Sequence, residues 1–149
     1  MNVRFWPALF AAAVLLTACS GGNSSSTNAN CEKAPDSLVS AISDGFNDST
    51  FELHDAQMVK VPKEDQNDRG YPGYVVAGNI TGPGGADPSA VGVWAVSSST
   101  DQPGPIFALN PGANQLTDWG DAIKDGSLAA KNRDIMAGLD AAKEAPDCL

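Results

Sequence analysis

Tyr74-Val75-Val76-Ala77-Gly78-Asn79-Ile80-Thr81, held between Pro72-Gly73 and Gly82-Pro83-Gly84-Gly85, is the stretch from which the fold can be read. Branched and aromatic side chains suit a pleated surface and Pro and Gly end it, so this segment predicts a strand between strong breakers. Val91-Gly92-Val93-Trp94-Ala95-Val96 repeats the pattern and predicts a second inner strand. Both are apolar at successive positions rather than alternating, which predicts cover by helices on one side at least. Upstream, Phe51 to Pro62 sets Leu53, Met58, Val59 and Val61 among polar residues and is closed by Pro62. Downstream, Ile106-Phe107-Ala108-Leu109 follows the loop Ser97 to Pro105. Each predicts one further strand, and the short connections between consecutive strands favour an antiparallel meander.

Helical spacing flanks this block. After Pro35-Asp36-Ser37, Leu38, Val39, Ile42 and Phe46 fall three and four apart, predicting an amphipathic helix of about three turns with Asp36 as N-cap, ending near Gly45 or Asn47. Asn110-Pro111-Gly112 stops the last strand, and Ala113 to Trp119 suits one or two helical turns. Leu128, Ile135, Met136 and Leu139 then lie in an Ala-rich stretch running to Lys143 and Pro146, which predicts a C-terminal helix. The order implies an α+β fold: N-terminal helix, four-stranded antiparallel meander, C-terminal helix.

The N-terminus has a separate logic. Arg4 supplies a small positive region, and Phe5 to Ala18 is apolar apart from Thr17, with Pro7 inside it. The run is shorter than the roughly 20 residues of a membrane span and has the layout of an export signal. It ends in Leu16-Thr17-Ala18-Cys19, which resembles the lipobox of bacterial lipoproteins. That resemblance implies a diacylglyceryl thioether on Cys19, cleavage before it, and a protein held outside the cytoplasm on the cell membrane, or on the outer membrane of a two-membrane envelope. Several acyl chains on one residue anchor stably where a single chain does so only marginally. Residues 1–18 are then the signal peptide, 19–30 a lipidated tether and 31–149 the folded body. From Ser20 to Asn30 there is no charge and no large apolar side chain. Such a segment cannot offset its ordering entropy, and its eleven residues would typically reach about 20 Å.

The chain has 9 Lys+Arg against 18 Asp+Glu, a net charge of −9. Arg4 leaves with the signal while no acid does, so the mature balance falls to −10. A field of that sign opposes both nucleic acid, which is not expected as a partner, and anionic lipid headgroups, so the body is expected to stand off the membrane. Residues 19–149 suffice for one core and are too few for two comfortable ones. With Cys19 assigned to lipid, Cys31 and Cys148 remain, in a compartment where disulfides persist, and only one pairing within the chain is open to them. A metal would need more than two soft ligands, and a catalytic thiol would need a base, for which His54 is the only histidine.

Candidate sites are few. Asp118, Asp121 and Asp125 could face one way and hold Ca²⁺ if their segment is helical, although Gly120 and Gly126 weaken that helix and a solvated face has the same spacing. Asp65 to Gly70 begins like a calcium loop but has Arg69 at the fifth position and Val76 where a bidentate Glu is required, so a polar turn accounts for it. His54 beside Asp55 lacks any marked nucleophile, and Gly82 to Gly85 lacks the Lys-Ser/Thr of a phosphate loop. No catalytic residue is marked and no cofactor is implied. Trp94, Trp119, Tyr71 and Tyr74 are the side chains able to line a ligand or partner surface, with core packing as the alternative use for them.

Gly92-Val93-Trp94-Ala95, Ile106-Phe107-Ala108-Leu109, Thr117-Asp118-Trp119-Gly120 and the closing Asp147-Cys148 give the body a loose likeness to small exported lipoproteins of high-GC Gram-positive bacteria. The resemblance implies the order of elements and the terminal disulfide, and it transfers no catalytic residue. Two functional classes follow as expectations: a non-enzymatic envelope module binding a small ligand or another envelope protein, or an envelope hydrolase working through carboxylates.

Overall fold

A computed structural model of the chain describes residues 30–82, 88–98, 102–120 and 128–149. The signal, Cys19, all of the tether before Asn30, the turn at 83–85, Asp121 and Asp125 lie outside the described residues.

Five strands form one antiparallel sheet in chain order: β1 (Cys31–Lys33), β2 (Glu52–Lys60), β3 (Tyr74–Thr81), β4 (Pro88–Val96) and β5 (Phe107–Ala108). The meander expected from the breakers is present, with one strand more than predicted. The additional strand, β1, aligns Cys31, Glu32 and Lys33 with Val59, Met58 and Gln57. Three residues, two of them charged, carry no periodic signal, and short charged segments are what protects a sheet edge from pairing with other chains.

The two inner strands are covered on both faces. Val76 and Ile80 of β3 and Trp94 and Val96 of β4 point to one side, where they meet Leu38 and Ile42 of α1 (Asp36–Ser43) and Ala113 of α2 (Pro111–Leu116). Val75, Ala77 and Val93 point to the other and meet Ala141 of α4 (Asp140–Glu144) and Ala145 in the closing 3₁₀ turn. Leu38 and Ile42 are fully buried, which stabilises by roughly 1.5–3 kcal/mol for each such side chain.

β2 joins the first of these clusters through Leu53, Ala56 and Met58, a spacing that simple alternation forbids. The register shifts between His54 and Gln57, where Asp55 adopts φ 53°. The extra residue of this bulge turns the first half of the strand over and brings Leu53 back to the same face as Met58.

The helices differ from expectation in three ways. α1 has eight residues rather than three turns, and Pro35, not Asp36, is its N-cap, with no side-chain cap bond. Asp36 sits in the first turn, where a carboxylate complements the helix dipole. The helix ends at Ser43 with Asp44 as its C-cap, and Gly45 follows it against the Trp119 indole, where a Cβ would clash with the ring. The C-terminal helix is two helices, α3 (Leu128–Ala137) and α4, broken at Gly138 and at Leu139, whose extended backbone begins α4. Lastly, Asn110 does more than end a strand. Its Oδ1 accepts from the N–H groups of Ala113 and Val93, each at 3.0 Å, and its Nδ2 donates to Val91 O at 2.8 Å. One amide thus caps α2 and extends the pairing of β4 past the end of the two-residue β5.

Cys31 and Cys148 form a disulfide with Cα atoms 5.9 Å apart, across 117 residues of sequence. Among the described residues no helix is long and apolar enough to cross a membrane.

Candidate functional site

A groove of about 760 Å³ lies at one end of the sheet, walled by three segments. The first is the β2–β3 connection. Past a 3₁₀ turn at Lys63–Asp65, Gln66 Nε2 donates to Val61 O at 2.8 Å, and Asn67 Oδ1 accepts from the N–H groups of Arg69 and Tyr71 at 2.9 and 3.1 Å. Gly70, with φ 75°, completes the turn, and Tyr71–Pro72 is a cis peptide. The Asx geometry explains why this segment is Asn- and Gly-bearing, and it accounts for the residues that begin like a calcium loop.

These bonds present Tyr71 to the groove. Its hydroxyl donates to Ala95 O at 3.1 Å, and its ring meets Phe107 edge-on, centroids 5.9 Å apart at 70°. Partial burial pushes the phenol's pKa well above its ordinary value near 10. The second wall is the β4–β5 connection, pinned where Ser97 N–H and Oγ both donate to Pro103 O. The third is α3 and the residues after it, which contribute Asn132, Ile135, Met136 and Leu139. Ile135 is 65% exposed, the most exposed of the large apolar side chains described. The lining is mainly apolar, with Asp65 its one acidic residue among those described. Its size falls within the ~300–1,000 Å³ usual for small-molecule sites.

The four aromatic residues singled out in the sequence are not brought together. Only Tyr71 lines the groove. Trp94 is fully buried on the α1/α2 side of the sheet, its ring laid over Gly92, where a Cβ would meet Cη2 at 2.0 Å. Its Nε1–H has no acceptor among the described residues. Tyr74 and Trp119 are half-buried against that same cluster, and Trp119 Nε1 donates to Ile42 O at 2.9 Å. Their part is to close the core on that side.

Asp118 is exposed, and its N–H donates to Gly45 O at 2.7 Å. Its two proposed companions fall outside the described residues, and among those described no group of three or more His, Cys, Asp or Glu is placed to hold a metal ion. His54 is on the surface with Nε2 3.1 Å from Glu52 Oε2. Phe107, Ile135, Met136 and Leu139 were not legible as a site, since each reads as strand or helix core. The available signal was the adjacent pair Ile135-Met136, which makes the apolar stripe of α3 wider than one buried face requires.

Set against known proteins, the chain matches no family model, no curated protein and no solved structure.

Proposed function

We propose that the protein is an extracytoplasmic lipoprotein, anchored to a membrane through acylated Cys19, whose folded body is a non-enzymatic module that binds a small apolar ligand. The observation that supports the binding role is the groove, an apolar concavity with an exposed isoleucine on its rim and a few polar groups around it. A carboxylate hydrolase needs two acidic groups facing each other across a cleft, and Asp65 is the single acid described on this one.

The test uses N-phenyl-1-naphthylamine, whose fluorescence rises in apolar surroundings. The full chain should bind it saturably, and Ile135→Asp should weaken binding at least tenfold with an unchanged circular dichroism spectrum, because Ile135 is too exposed to hold the core together. Absence of saturable binding would overturn the binding role. The mass of the membrane-extracted protein tests the anchor: a chain without acyl groups on Cys19 removes it.

A further inference from the structure

The backbone places the groove and the point where the tether enters at the same end of the sheet. β1 begins at Cys31 and runs antiparallel to β2, so Asn30 leaves at the end where β2 finishes and β3 begins. The β2–β3 and β4–β5 connections, two walls of the groove, project from that end. A single row of paired residues crosses the sheet there: Cys31, Val59, Val75, Ala95 and Phe107. At about 4.8 Å between neighbouring strands, Phe107 on the groove stands roughly 19 Å from Cys31. The disulfide and the groove share a face as well, for Cys148 and Leu139 both pack on the cluster containing Val59, Val75 and Val93.

Three further observations distinguish this end. Between Cys19 and Cys31 there are only twelve peptide links. At no more than ~3.5 Å each they span roughly 40 Å at full extension, so an anchor on Cys19 keeps this end within that distance of the bilayer surface. Of the three exposed large hydrophobics described, Ile135 is on the groove and Leu149 follows the disulfide-bonded Cys148. Residues 60–73 hold Lys60, Lys63 and Arg69 against Glu64, Asp65 and Asp68, so this wall of the groove is neutral in an acidic chain and is repelled less by anionic headgroups than the chain as a whole.

We infer that the groove takes an acyl chain of a lipid drawn from the bilayer in which Cys19 is anchored. The inference rests on the proposed anchor and on the groove as a binding site, and it adds the ligand's class and its source. An acyl chain is apolar along its length and would lie on the apolar part of the lining, Phe107, Ile135, Met136 and Leu139, with its headgroup among polar residues such as Gln66, Asn67 and Arg69.

The test reconstitutes the full lipoprotein, extracted from its own membrane, into phosphatidylcholine vesicles containing a phosphatidylcholine with a diazirine on one acyl chain. After irradiation, adducts should map to Tyr71, Phe107, Ile135 or Met136. Ile135→Asp should lower that labelling at least tenfold while labelling of residues 20–30 stays constant. Adducts confined to residues 19–30 or to Leu149 would overturn the inference, as would groove adducts seen only when the diazirine is on the acyl chains of Cys19. If naphthylamine binds but the photolipid does not label the groove, the lipid inference fails and the binding role survives. If neither occurs, both fall. An unacylated Cys19 would remove the anchor and the lipid source together.

Discussion

Asn110→Ala tests the account of how the strand edge and the helix are joined. The substitution removes three hydrogen bonds at once: the cap on Ala113 N–H, the acceptor for Val93 N–H and the donor to Val91 O. Loss of an N-cap costs about 0.5–2 kcal/mol, and each of the other two bonds about 0.5–1.5 kcal/mol net. Val93 is 4% exposed, so water replaces the lost acceptor poorly and the total falls at about 2–4 kcal/mol. For a chain of this size that lowers Tm by about 8–16 °C. Two companions divide the effect. Asn110→Asp keeps both acceptor bonds but turns an oxygen toward Val91 O, so it should retain more stability than alanine and less than the parent. Asn110→Ser keeps the cap alone and should recover about 1 kcal/mol over alanine. Urea unfolding of the full chain, followed by circular dichroism, measures all three. An alanine variant within about 0.5 kcal/mol of the parent, the scatter of ordinary surface substitutions, would refute the reasoning.

Two other perturbations address the staple and the groove. Replacing Cys31 and Cys148 together by serine frees a loop of 117 residues of sequence separation, for which the chain-entropy model gives a loss of about 5 kcal/mol; urea unfolding with and without reductant measures it, and equal midpoints for parent and variant would contradict the estimate. The chain has two tyrosines, and the difference in alkaline absorbance between the parent and Tyr71→Phe isolates Tyr71, which should ionise above the ordinary phenol value. Below about pH 10 the phenol is neutral both folded and unfolded, and above it the unfolded chain ionises first, so its contribution to stability is complete below pH 10 and is lost as the pH rises through the folded value. A parent-minus-variant ionisation step at the ordinary phenol value would count against the described environment.

What could be read from the sequence was what local chemistry decides. Pro72-Gly73 and Gly82 bound β3 whatever surrounds it, and continuous apolar runs in β3 and β4 called for cover on one side at least, where the structure covers both. The elements missed are those created by their neighbours. β1 is a strand because β2 lends it partners, and the bulge at Asp55 shows only when Leu53 and Met58 are found on one side. Gly138 interrupts a helical pattern that a lone glycine usually only weakens. The candidate site was legible at one residue, Tyr71, because aromatic content marks side chains able to bind but not which of them the core consumes. Trp94 lies against Gly92 in the sheet interior, and the groove is assembled from a turn, a strand end and a helix far apart in the chain.

Under the anchor proposed above, which would tie the chain down at its N-terminus, the bond between Cys31 and Cys148 has a mechanical consequence. Tension arriving through Asn30 meets a strand of only three residues, which hydrogen bonds alone would let peel away from β2. The covalent link diverts that tension to Cys148, in a turn packed beneath β2 and β3, so the pull is shared with the middle of the sheet. With the bond reduced, steady traction on the N-terminus should detach β1 at low force and leave the other four strands standing. With it closed, the first event should be rupture of the whole fold.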